Sequence, residues 1–82
     1  MIYLRRTRKA LAEFDRTGPE RDARWKAVES DADIAEAEKM EAEALRKVHE
    51  AFYRDTRDIN GYENAMLVDI TTLRQWLAAE ER

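Results

Sequence analysis

Between Pro19 and Ile59 the chain contains no glycine and no proline. Proline removes a backbone donor and glycine gives up backbone order, so their absence from so long a stretch favours helix throughout it. The whole chain holds two glycines and one proline, at Gly18, Gly61 and Pro19. Ala, Glu, Lys, Leu and Arg make up 45 of the 82 residues, a share that by itself points to long or coiled helices. The fold class expected is all-α: a long-helix hairpin or small three-helix bundle with coiled-coil character, completed by dimerisation.

Apolar spacing divides the single domain, residues 1–82, into three helical stretches. The first covers residues 2–16, where Leu4, Thr7, Leu11 and Phe14 recur at 3-4-3 spacing, with Tyr3 and Ala10 alongside. Thr17-Gly18-Pro19 then punctuates, with glycine suited to a helix end and proline to the next first turn. The second stretch is a long helix over 19–59. Ser30 and Asp33 stand at capping-box spacing within it, and the apolar face changes phase there, which predicts either a kink near residue 30 or a helix that changes partners along its length. Pairs such as Glu20–Arg24, Glu43–Lys47 and Glu50–Arg54 stand at helical ion-pair spacing. Asn60-Gly61 is expected to stop this helix in the left-handed conformation. The third stretch reads as one helix over 62–81. An alternative has Met66-Leu67-Val68 extended, with Asp69 capping a shorter helix and Val68 stapled to Leu73.

Net charge is −3, unevenly distributed. Residues 1–28 carry a balance of +4 and residues 29–44 a balance of −6. Such asymmetry either steers partners or is satisfied internally, a basic first helix folding over an acidic second one. The internal arrangement, within one chain or across a dimer, is the one expected.

Little in the chain suggests catalysis. His49 is the one histidine, Ser30 the one serine, and cysteine is absent. No carboxylate stands three or four residues from His49 to orient it, and no nucleophile motif accompanies it. Thiolate metal sites and disulfides are excluded. Asp58-Ile59-Asn60-Gly61 resembles the middle of a calcium loop, but Leu67 falls where the closing bidentate carboxylate belongs. Two glycines cannot build a phosphate-binding loop. No metal, cofactor or catalytic residue is expected, and the chain is read as not an enzyme. No apolar run approaches the length of a membrane span. With no cysteine and no signal-like segment, a cytoplasmic location follows.

What remains is contact with other macromolecules. The aromatic residues are too many for one buried stripe, and Trp25, Phe52, Tyr53 and Trp76 are the candidate partner-binding anchors. The expected function is a non-enzymatic protein–protein interaction module, an adaptor, inhibitor or assembly factor acting by masking or bridging. Its partners are a protein of unknown identity and a second copy in a homodimer, with no membrane involved. Two alternatives stand beside it. One is a nucleic-acid-associated regulator using Arg5, Arg6, Arg8 and Lys9. The other is a structural coiled-coil scaffold element.

Overall fold

The computed structural model describes residues 3–81. They form five helices, α1 (Arg5–Arg16), α2 (Gly18–Lys26), α3 (Asp31–Thr56), α4 (Tyr62–Met66) and α5 (Ile70–Glu80). No strand occurs among the described residues. Residue 2, the expected start of the first helix, lies outside them.

The core forms where α1, α3, α4 and α5 meet. Leu4 and Leu11 of α1 and its approach pack with Val48 and Phe52 of α3, Ala65 of α4, and Leu73 and Leu77 of α5. The predicted stripe of α1 is therefore the buried one, with Thr7 fully enclosed and Phe14 half-buried. Tyr3 instead points to solvent. Asp55 near the end of α3 meets Arg6 and Thr7 at the start of α1, so these two helices run antiparallel. Arg8 reaches Leu77 and Glu80, while Asp15 reaches Arg74, so α5 also runs antiparallel to α1. The result is an antiparallel α1–α3 pair, with α2 and α4 packed on α3 and α5 joining the core through Leu73 and Leu77.

The long helix expected over 19–59 is two helices. Ser30 has extended backbone, and its hydroxyl accepts the Asp33 amide at 3.3 Å. The Asp33 carboxylate accepts the Glu29 amide at 3.1 Å, so the two side chains satisfy donors on both sides of the break. At the other corner a single residue, Thr17, separates α1 from α2. Arg21 closes this corner. Its guanidinium donates to the Phe14 carbonyl at 2.6 Å and the Thr17 hydroxyl at 2.5 Å, and lies 4.0 Å from the Phe14 ring centroid.

The expected left-handed stop at Asn60-Gly61 is not used, because no described residue has a left-handed backbone. The chain leaves α3 through right-handed turns, with the amides of Ile59 and Asn60 donating to the Thr56 carbonyl at 2.9 and 2.8 Å. Gly61 is extended and stands immediately before α4. The single helix expected over 62–81 is also broken. Asp69 is extended, and its carboxylate accepts the Thr72 amide at 2.7 Å, starting α5. Val68 and Leu73 join the same apolar cluster, as a staple requires. β-Branched residues at 68 and 70–72 disfavour helix there, and the cap decides the outcome.

Candidate protein-docking groove

α5 fills one side of the antiparallel α1–α3 pair. The other side is open and forms a groove of about 630 Å³. Its floor is Ala10 and Phe14 from α1 with Ala44 and Ala51 from α3, all half-buried. Its walls carry Arg6 and Lys9 on α1 and Lys47 and Arg54 on α3. Between Ala44 and Arg54 the α3 wall is roughly 15 Å long at ~1.5 Å per residue. Helical periodicity produces this layout. Ala44 and Ala51 are seven residues apart beside buried Val48, and Lys47 and Arg54, also seven apart, flank them.

The cations of the groove are largely free while its carboxylates are engaged. Among the described residues no carboxylate forms an ion pair with Lys9, Lys47 or Arg54. Arg6 touches Asp55 at 3.4 Å with its own side chain 66% exposed, a weak pairing. Glu13 at the rim accepts from Arg16 at 2.9 Å. That hydrogen bond holds its carboxyl below the usual carboxylate range, with the Lys47 charge acting in the same direction. Glu50 accepts from Arg46 at 2.7 Å.

The residues singled out from the sequence are dispersed. Phe52 is an interior residue, 1% exposed, with the Trp76 ring packed against it at 5.7 Å and tilted by 32°. It supports an exposed aromatic and is not itself a surface anchor. Tyr53 is half-buried and meets Tyr62 edge-on at 5.3 Å. Trp76 remains 45% exposed. Trp25 remains 38% exposed on α2, with its indole N–H donating to Glu41 at 3.2 Å. These four therefore belong to three places: Trp25 to α2, Phe52 and Trp76 to the α3–α5 contact, and Tyr53 to the α3–α4 contact.

The basic run is divided in the same way. Arg8 turns toward α5, donating to the Leu77 carbonyl at 3.3 Å and Glu80 at 3.4 Å, and it also pairs with Glu81. Arg5, Arg6 and Lys9 instead surround a smaller hollow of about 290 Å³ beside the groove. Within the chain, the anticipated pairing of the basic first helix with the acidic 29–44 stretch is absent among the described residues. No ion pair among the described residues joins 1–28 to 29–44, and α1 ties to Asp55, Glu80 and Glu81 instead. The one ion pair within α3 is Arg46–Glu50, which was not among those anticipated. Exposed pairs of this kind gain little over two hydrated side chains.

His49 is half-buried at the α4–α5 link. A carbonyl can only accept, so its Nε2–H donates to Val68 at 2.6 Å. No group of three or more metal-ligating side chains converges among the described residues. None of the described helices is long and apolar enough to cross a membrane. No family model matches the chain, and neither a curated protein nor a solved structure matches it. The groove residues Lys47, Arg54, Ala44 and Ala51 were missed by sequence reasoning. Their shared seven-residue spacing was the available signal.

Proposed function

We propose that this protein is a non-enzymatic protein-interaction module that docks a partner protein in the α1–α3 groove. The observation that carries the reading is the unequal treatment of the two sides of the α1–α3 pair. One side is covered by α5, and the other keeps an apolar floor between cations of which Lys9, Lys47 and Arg54 form no ion pair among the described residues. A floor of alanines beside one phenylalanine offers apolar contact to a helix. Trp25 and Trp76 add exposed apolar surface outside the groove, and bridging or masking is the mode of action.

The test is affinity capture from host lysate after nuclease treatment, comparing the native chain with a Lys47→Glu/Arg54→Glu variant of equal helix content. A stoichiometric protein held by the native chain and lost with the variant supports the reading. Equal retention by both removes the groove from it.

A second reading, nucleic-acid binding, draws support from the hollow lined by Arg5, Arg6 and Lys9. Arg8 is withdrawn from it by its contacts with α5. Binding to duplex DNA or RNA that falls steeply with salt, and vanishes when Arg5 and Lys9 become Glu, would favour it. Salt-insensitive or absent binding eliminates it.

A further inference from the structure

We infer that the occupant of the α1–α3 groove is an acidic amphipathic helix of about three turns, supplied by a partner protein. This rests on the docking reading above and adds the chemistry of what docks.

Shape supports a helix. The trough lies between two antiparallel helices and is roughly 15 Å long, the rise of about ten helical residues. A helix laid in it joins α1 and α3 as α5 does on the opposite side. Ala10, Ala44 and Ala51 permit close approach, and Phe14 supplies the one large apolar contact. The occupant accordingly needs apolar residues at three- and four-residue spacing along one face.

Charge supports an acidic helix. Lys9 and Lys47 stand on opposite walls, and Arg6 and Arg54 lie toward the end where α1 begins and α3 ends. The two rim carboxylates already carry partners in Arg16 and Arg46, which do not line the groove. The net demand of the rim is for Asp and Glu flanking the apolar stripe, densest at the Arg6–Arg54 end.

The same observations weigh against two other occupants. A nucleic acid finds one aromatic ring in the groove, Phe14, and the Arg21 guanidinium already takes one face of it at 4.0 Å. A second copy of this chain offers its acidic stretch only with α2 attached. α2 lies on that part of α3, where Trp25 bonds Glu41 and Ala37 is 1% exposed. A bare helix from another protein brings no such obstruction.

The experiment is an amide-shift NMR titration of the full chain. The probes are a synthetic 14-residue helix with leucines at 3-4 spacing and glutamate flanks, its lysine-flanked counterpart, and a DNA duplex. The glutamate helix is expected to shift the amides of Ala10, Phe14, Ala44 and Ala51 saturably, and the lysine helix to leave them unmoved. Lys47→Glu/Arg54→Glu is expected to weaken the glutamate helix by roughly 10- to 100-fold and to let the lysine helix bind. Lys9→Glu serves as a second variant should that double change disturb folding. Four results overturn the proposal: no groove shifts at millimolar glutamate helix, equal response to both helices, a stronger response to the duplex, or groove shifts on concentrating the chain alone. If lysate capture is groove-dependent while the peptide titration is flat, docking stands and the acidic-helix assignment falls.

Discussion

Replacing Asp55 with alanine should remove a helix cap supplied from 48 residues away. α1 begins without one of its own: Leu4 occupies the cap position, offers no side-chain acceptor, and no acidic residue stands in the first turn. Arg5, Arg6 and Arg8 are there instead, the wrong sign for a helix N-terminus. The Asp55 carboxylate, 2% exposed, accepts the Arg6 amide at 3.3 Å and the Thr7 amide and hydroxyl at 2.8 Å each. Loss of a cap costs about 1 kcal/mol. Leaving the enclosed Thr7 hydroxyl and amide without an acceptor adds ~1–2 kcal/mol. The Arg6 guanidinium contact is exposed and adds little. A total of ~2–3 kcal/mol is a large part of the ~4–12 kcal/mol expected of a chain this long. It corresponds to a fall in Tm of roughly 10–20 °C. Urea unfolding followed by far-UV circular dichroism measures it, with Glu50→Ala as the control for an ordinary exposed pair. A loss below ~0.5 kcal/mol, within the range of surface changes, would refute the capping argument. Thr7→Val in the same background sharpens the test. Because the two side chains bond each other, the double variant should lose about 1 kcal/mol less than the sum of the singles.

Arg21→Met should cost ~1–2 kcal/mol in thermal unfolding, because it keeps the packing over Phe14 but leaves the Phe14 carbonyl without its charged donor. An unchanged Tm would mean that this clip does not hold the α1–α2 corner. Asp69 and Asp15 have carboxyls held below their ordinary 3.8, the first by the Thr72 amide and the second by Arg74. The unfolded chain therefore binds more protons than the folded one below that point. Stability from these groups is complete above 3.8 and is lost as pH falls through the lowered values, and high salt shrinks the exposed Asp15 share. A urea midpoint that stays flat down to about pH 3 would contradict this. Trp25→Ala should weaken partner capture more than it reduces helix content, since its indole is over a third exposed and makes one hydrogen bond. Intact capture with that variant would remove α2 from the contact surface.

Local signals in the sequence were legible where a single helix decides the outcome. The Leu4–Thr7–Leu11 stripe, the Ser30 cap and the existence of a cap at Asp69 all depend on spacing within one segment. The break at Asp69 was harder to read because the apolar period of 62–81 continues across it. The Asn60-Gly61 signal misled in detail, since chemistry that tolerates a left-handed residue does not require one. Features that depend on two segments meeting were hidden. Nothing near Leu4 reveals that its helix will be capped by Asp55. Nothing around Lys47 reveals that α5 will take the opposite side of α3. Phe52 looked like an anchor because its neighbour Tyr53 faces elsewhere, yet only the position of Trp76 shows which of the two is enclosed.

The fate of the basic N-terminal run explains why charge separation survives folding. Residues on a helix are set about 100° apart, so Arg6 and Arg8 point to nearly opposite sides of α1. Arg8 settles at the C-terminal end of α5, where a cation is favoured by the unsatisfied carbonyls and by Glu80. Arg6 turns toward the groove, with Lys9 beyond it. The acidic 29–44 stretch takes part in no ion pair among the described residues, and α3 carries net negative charge over its first half and Lys47 and Arg54 over its second. For an approaching acidic helix this polarity acts twice: the first half of α3 repels it and the groove attracts it. On the docking proposal, the field would select position before any apolar contact forms. Stopped-flow association of the glutamate-flanked helix should slow as salt is raised from ~0.05 to ~0.5 M, which shortens the screening length from ~14 to ~4 Å. Glu36→Lys/Glu43→Lys should accelerate association while leaving dissociation from the groove nearly unchanged, because those side chains lie outside it. An association rate insensitive to both salt and these reversals would show that contact, not field, selects the site.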